Sequence, residues 1–313
     1  MTIQIYKVLD SVNITKTDTI ENGCWVRIFT PTESEIDFLN AAQSVPRDFL
    51  TDPLDINEGS RIEKDDKFLL IILRSPIQED IDDIFFFETV PIGIILNDST
   101  VYTICIKPVP LLAKYIKYGN QEIDMKNKKS VVLKLLENSA LLILEYIKNI
   151  EKKHQRIAEK MLTVKNNQDL LDLHKLKKSL VYFTSAIKGN IAVLNKLSRN
   201  QIIHFDEDEI ESVNEILNKT NQALAICETH TNNISSTLNT YSSFVSNEIS
   251  NILKVLACVT LFLILPTLLT STYGMNINNI PFIHNAHIIL MFSLFTVGLI
   301  ISFYYLVIKK KWV

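Results

Sequence analysis

In the stretch TYGMN, Thr272 to Asn276, a glycine, a methionine and an amide follow a long uncharged apolar run. Repeated around an axis, the Asn276 side-chain oxygen and the backbone carbonyls near Gly274 would form a ring of neutral acceptors. Such a ring can hydrogen-bond the outward-pointing hydrogens of a hydrated Mg²⁺, an ion that gives up its waters reluctantly. Carboxylates would hold a divalent ion more strongly, whereas conduction requires release. Gly274 allows the helix end a conformation that residues with a Cβ disfavour. An ordinary helix C-terminus would use the same residues for turning, so residue chemistry alone leaves both readings open.

The run before this motif carries a pattern of its own. Ser250, Leu253, Ala257, Thr260, Ile264, Thr267, Ser271 and Gly274 recur every third or fourth residue, and most are small or hydroxylated. Leu261, Phe262, Leu263, Leu265 and Leu268 occupy the other faces. Small and hydroxyl residues also let membrane helices approach closely, so a packing face is the competing reading. The stripe ends at TYGMN, which favours a lining that meets water. Along it, Leu253, Leu256 and Ile264 would form apolar rings, able to gate by dewetting.

Two segments are long and apolar enough to cross a membrane. VLACVTLFLILPTLL, Val255 to Leu269, extends to about eighteen residues at Thr272, and His287 to Ile308 spans about twenty-two. The N-terminus lacks the basic stretch and apolar core of a signal peptide. Lys254 precedes the first segment and Lys309, Lys310 and Lys311 follow the second, while the intervening INNIPFIHNA has neither lysine nor arginine. The positive-inside rule therefore places both termini in the cytoplasm and TYGMN at the outer mouth of a cell (inner or plasma) membrane. Two spans cannot enclose a pore, so several chains must each contribute a helix.

The remaining residues must position that mouth. Up to about residue 120, CWVRIF, KFLLIILR, IGIIL and VYTICI read as strands, and SEIDFLNAAQ reads as a capped helix, which together suggest an α/β layer. From Lys129 glycine and proline almost vanish, and apolar residues recur at helical spacing as a long antiparallel hairpin broken at KNNQD. After FDEDE, two series spaced by seven (Ile210, Leu217, Leu224, Thr231, Leu238, Val245, Ile252, and Val213, Thr220, Cys227, Ile234, Tyr241) mark a heptad seam. No breaker separates it from the first span, so one stalk helix feeds the bilayer and supplies a means of oligomerising. The expected division is 1–128 for an α/β domain, 129–252 for hairpin and stalk, and 253–313 for two membrane helices. The fold class is thus an α+β membrane protein.

A net charge of -3 and the lack of a basic stripe argue against a nucleic-acid partner. Cys24, Cys105, Cys227 and Cys258 show no CxxC spacing and read as reduced thiols. No Walker motif or catalytic constellation occurs, which points away from an enzyme or ATP-driven pump. His284 and His287 lack a third converging ligand and read as interfacial histidines.

GMN preceded by Tyr273, closing the first of two C-terminal spans ahead of KKKWV, resembles the CorA family of magnesium transporters. SNEISNILKVL, Ser246 to Leu256, resembles the family's junction of stalk and membrane, and DFLTDPLDINEGSRIEKDDKFLLII resembles its N-terminal domain. The resemblance covers nearly the whole chain. It implies a funnel-shaped homopentamer passing Mg²⁺ through the bilayer down its electrochemical gradient, with lipid, copies of itself and Mg²⁺ as partners and no organic cofactor. Gly274, Met275 and Asn276 would form the outer filter and Thr267 a polar ring. Ile264, Leu256 and Leu253 would form the constriction and Ser250 the inner mouth, where the family often has an amide. The acidic residues common in the family's outer loop are missing between Ile277 and Ala286. The resemblance also implies regulatory Mg²⁺ between subunits, with Asp208, Glu209 and Glu211 facing Asp82 and Asp83. An acidic turn that complements the helix dipole explains the stalk carboxylates equally. Transport of Co²⁺, Ni²⁺ or Zn²⁺ by the same fold, or a membrane-anchored coiled-coil sensor or scaffold, are the alternatives.

Overall fold

The continuous apolar run in KFLLIILR sets the centre of the fold. In the computed structural model, which describes residues 3–10, 13–81, 84–112, 127–161, 167–199, 202–275 and scattered positions from 287 to 305, this stretch opens the strand Phe68–Ile81. Leu70 and Ile72 enter one core, and Leu69, Ile71 and Leu73 the other, as a two-residue period requires of a sheet covered on both faces.

The strands are β1 (Ile3–Asp10), β2 (Asn13–Thr17), β3 (Cys24–Phe29), β4 (Arg61–Asp65), β5 (Phe68–Ile81), β6 (Ile84–Leu96) and β7 (Val101–Cys105). They form one seven-stranded sheet in the order β2-β1-β3-β7-β6-β5-β4. Only β3 and β7 pair in parallel; every other neighbour is antiparallel. α1 (Glu33–Gln43) and α2 (Arg47–Thr51) cover one face through Ile36, Leu39, Phe49 and Leu50. Thr32 and Glu35 form a capping box at the start of α1. Gly93 on β6 lets the short 3-10 turn Asp52–Leu54 seat Pro53, because a Cβ there would lie 2.4 Å from the proline ring.

α3 (Lys128–Met161) and α4 (Asn167–Ser198) cover the other face through Val131, Val132, Leu135, Val193, Leu194 and Leu197. The predicted helical hairpin therefore packs on the sheet. Asn190, buried in α4, fixes its register. Its amide accepts from the Arg74 backbone N–H (3.0 Å) and donates to the Arg74 carbonyl (2.9 Å), taking over the β5 edge where pairing with β4 stops at Arg61. The Arg74 guanidinium in turn donates to the carbonyls of Ile56, Glu58 and Thr89.

α5 (Glu207–Tyr273) is a single helix of 67 residues, about 100 Å long at 1.5 Å per residue. The chain divides into two compact units, 1–237 and 238–313, and α5 contributes to both.

Candidate functional site

The stripe reaches the structure as a continuous exposed face on the last part of α5. At 100° per residue, Ser250, Leu253, Leu256, Ala257, Thr260, Ile264, Thr267 and Ser271 fall within an arc of roughly 120°. All of them are exposed, and Leu253, Leu256 and Ile264 keep 57%, 58% and 54% of their surface.

Three of the four hydroxyls on this arc share one arrangement. Ser250 donates to the Ser246 carbonyl (2.9 Å), Thr260 to Leu256 (2.9 Å) and Thr267 to Leu263 (2.6 Å). A hydroxyl has one proton and two lone pairs, so each of these oxygens offers only acceptor capacity outward. The sequence marks the hydroxyls but not their direction, which follows from the i−4 carbonyl within reach of every helical Ser or Thr.

α5 ends at Tyr273, and no basic residue lies in its last turn. The partial negative charge of a helix C-terminus, near half an elementary charge, is therefore not offset by a neighbouring cation from that turn. Gly274 N donates to the Thr270 carbonyl (3.0 Å) and continues the helical bonding. Gly274 does not adopt the left-handed backbone that its sequence suggested. Its φ lies outside that region, and its constraint is crowding, since a Cβ would come 3.3 Å from the Thr270 oxygen. Met275 is exposed, and Asn276 lies outside the described residues.

Lower on α5 the heptad pattern has a different outcome. Val213, Ile216, Thr220, Ala223 and Cys227 are buried at alternating three- and four-residue steps, and Ile234 is buried seven residues further on. Val213 and Ile216 join the core formed by α3, α4 and the sheet. Cys227 Sγ donates to the Leu180 carbonyl of α4 (3.2 Å). One of the two series, with 216 and 223 in place of 210, 217 and 224, is thus consumed within the chain. Ile210, Leu217, Leu224, Thr231, Leu238 and Val245 stay half-buried.

The acidic foot of α5 is first a cap. Glu209 N–H donates to Asp206 Oδ1 (2.8 Å), and Asp206 N–H donates to Glu209 Oε2 (3.1 Å), a reciprocal box on two orphan amides. Glu209 also pairs with Lys129 (3.1 Å) and accepts from Asn127 (3.3 Å). Burial opposes its charge, but the Asp206 amide, Lys129 and Asn127 outweigh burial and hold its pKa below the ordinary carboxylate value. Asp208 and Glu209 line a cleft of about 320 Å³ with Glu137 and Glu215. Glu211 is exposed on the same helix, Asp82 and Asp83 lie outside the described residues, and no cluster of three metal-ligating side chains occurs among the described residues.

Residues 21–310 match the family model described as CorA-like Mg2+ transporter protein. The chain belongs to this family. It is therefore a membrane transporter of the CorA type for divalent cations, as the sequence resemblance anticipated. A cobalt/magnesium transport protein CorA from Methanocaldococcus jannaschii is 24% identical over 294 residues, covering 92% of this chain and 91% of the relative. The CorA of the same name from Thermotoga maritima is 22% identical over 238 residues, 74% of this chain and 66% of the relative. Among solved structures, the complete CorA magnesium transporter of M. jannaschii superposes with a TM-score of 0.85 at 21% identity, covering 100% of this chain and 99% of that one. The full-length CmaX protein gives 0.69 at 14% identity over 97% of both chains. At these identities the superpositions establish the fold: an N-terminal α/β domain joined to the long helix of CorA.

Proposed function

We propose that copies of this chain assemble as a homopentameric channel in which the exposed arc of α5 lines the pore and admits hydrated Mg²⁺. One observation carries this reading. Every back-bonded hydroxyl on the arc shows only lone pairs, and the arc ends at a helix terminus whose negative dipole end has no basic residue beside it in its last turn. Such a face suits the donor hydrogens of an ion's water shell and suits an anion poorly. In this reading Gly274, Met275 and Asn276 form the outer filter. Leu253, Leu256 and Ile264 form a constriction that dewets on slight narrowing. A second helix near residues 287–308 surrounds the first, and both termini are cytoplasmic.

Closure by internal Mg²⁺ belongs to the same proposal, with Asp208, Glu209 and Glu211 of one subunit facing Asp82 and Asp83 of the next. Glu209 is already committed to its cap and to Lys129, so Asp208 and Glu211 are the stalk ligands best placed to change partners. The relatives' name, cobalt/magnesium transport protein, makes Co²⁺ a second cargo to test.

Influx of a divalent ion should gain about 4.6 kcal/mol per 100 mV of inside-negative potential, twice the single-charge value. Purified protein in liposomes, assayed with Mg²⁺, Co²⁺ and Zn²⁺, should show Mg²⁺ influx that slows when the potential is collapsed. ATP-dependent influx that ignores the potential would refute the channel, as would the absence of any divalent flux.

A further inference from the structure

Two exposed apolar side chains sit among basic ones on the outer face of α4. Leu171 keeps 56% of its surface and Val181 52%. At 100° per residue they share an arc of roughly 120° with His174, Lys175, Lys178 and Tyr182. Lys178 is exposed, with Nζ 5.3 Å from the Phe86 ring and 5.6 Å from that of Tyr182, so its stem covers aromatic surface.

The charge is not confined to α4. On α3, Lys148, Lys152 and Arg156 follow one another at four-residue steps, and all are exposed. Residues 148–178 hold nine Lys or Arg against four Asp or Glu, an excess of five positive charges in a chain whose net charge is -3. Lys160 is taken by the buried Asp169 (2.9 Å), but Lys148, Lys152, Arg156 and Lys175 form no ion pair among the described residues.

We propose that the outer face of α4, from Leu171 to Tyr182, docks on the anionic headgroups of the bilayer that holds the chain. Charge decides the sign of the partner, and the two aliphatic side chains decide its kind. On a headgroup layer the lysines reach phosphates while Leu171 and Val181 enter the boundary with the acyl chains. A nucleic acid would meet the charges and leave both aliphatic groups in water. The contact can be weak, because the protein is resident in the membrane and lipid is always at high local concentration. Each basic group near an anionic surface adds about fivefold in affinity. Such docking requires membrane residence and not a pore, so a protein that passes no ion should still show it.

Amine footprinting of the full-length protein in nanodiscs tests it, with phosphatidylcholine alone compared with a mixture containing phosphatidylglycerol. Lys175 and Lys178 should react at least about fivefold more slowly in the anionic discs. Lys64 and Lys67, exposed where β4 turns into β5, should not change. High salt should remove the protection. Leu171→Gln combined with Val181→Gln keeps the charge and should weaken it. Equal reactivity in both lipids, an equal slowing at Lys64 and Lys67, or protection that survives the double substitution unchanged overturns the proposal. Protection by an added oligonucleotide in uncharged discs, with none from the anionic lipid, would assign the face to a soluble polyanion and overturn it too.

Discussion

α5 shows the same three-and-four spacing in two places, with opposite results. Between Val213 and Ile234 the spaced residues are buried against α3, α4 and the sheet, and Ala223, Cys227 and Ile234 expose 0% of their surface. Between Ser250 and Ser271 the spaced residues are exposed, and Leu256 keeps 58%. The lower seam has found its partner inside the chain, whereas the upper stripe has no cover from its own chain among the described residues. Burying a leucine contributes about 1.5–3 kcal/mol, so a row of exposed leucines and isoleucines marks a surface to be covered by other copies or by lipid. Periodicity identifies a face; the available partner decides what that face becomes.

Core truncation should separate the two regions most sharply. Ile216→Ala should lower stability by about 2–5 kcal/mol, read by denaturant unfolding in detergent, because Ile216 is buried in the core shared with α3, α4 and the sheet. Leu253→Ala should lower stability by less than Ile216→Ala, because its own chain leaves this side chain exposed. Equal losses would erase the distinction.

Leu256→Asn should hydrate the proposed constriction and leave current flowing at an internal Mg²⁺ concentration that closes the parent, measured by patch recording of reconstituted protein. Normal closure would remove Leu256 from the gate. Thr267→Val keeps shape but deletes the outward acceptor. It should slow Mg²⁺ flux by roughly fivefold if the lost hydrogen bond is worth about 1 kcal/mol, while Thr267→Ser should restore it. Flux in Thr267→Val equal to the parent would make the hydroxyl a packing group.

The smallest effect lies at the foot of α5. The depressed Glu209 carboxylate contributes stability at pH values above the unfolded carboxylate pKa, and this is lost as pH falls through the folded value. Glu209→Gln should therefore flatten the acid limb of a stability–pH curve, with a loss at neutral pH of about 0.5–1 kcal/mol. An unchanged acid limb would assign the pH dependence to other groups.

Much of the fold was legible because its strands and helices carry their own periods. CWVRIF became β3 without a shift, and KFLLIILR, read as a strand, opens β5, although its two covered faces emerge only from the structure. The long helix was readable from the absence of any breaker between FDEDE and the apolar run. What the sequence hid were choices among partners. Asn190 looks like one polar residue in a polar helix, and only the open edge of β5 beyond Arg61 explains its burial. The heptad residues suggested a seam between subunits, but four of the twelve, Val213, Thr220, Cys227 and Ile234, are buried within the chain, since heptads do not say which helix they face. At the mouth, glycine suggested a left-handed turn, and the structure replaces that with crowding at the Thr270 carbonyl. The stripe's residues lie along α5, and the direction of the Ser250, Thr260 and Thr267 hydroxyl protons came only from helical geometry.

Those back-bonded hydroxyls have one more consequence. A proton travels along a chain of hydroxyls only if each group can hand its own hydrogen onward and then rotate to receive another. Ser250, Thr260 and Thr267 have each given that hydrogen to a helix carbonyl. The arc can thus attract the hydrogens of a metal's water shell without serving as a relay for protons. If the proposed leucine and isoleucine rings expel water, these three side chains offer no alternative wire. In the channel proposed above, closure to Mg²⁺ would thus leave no path for protons through these three hydroxyls.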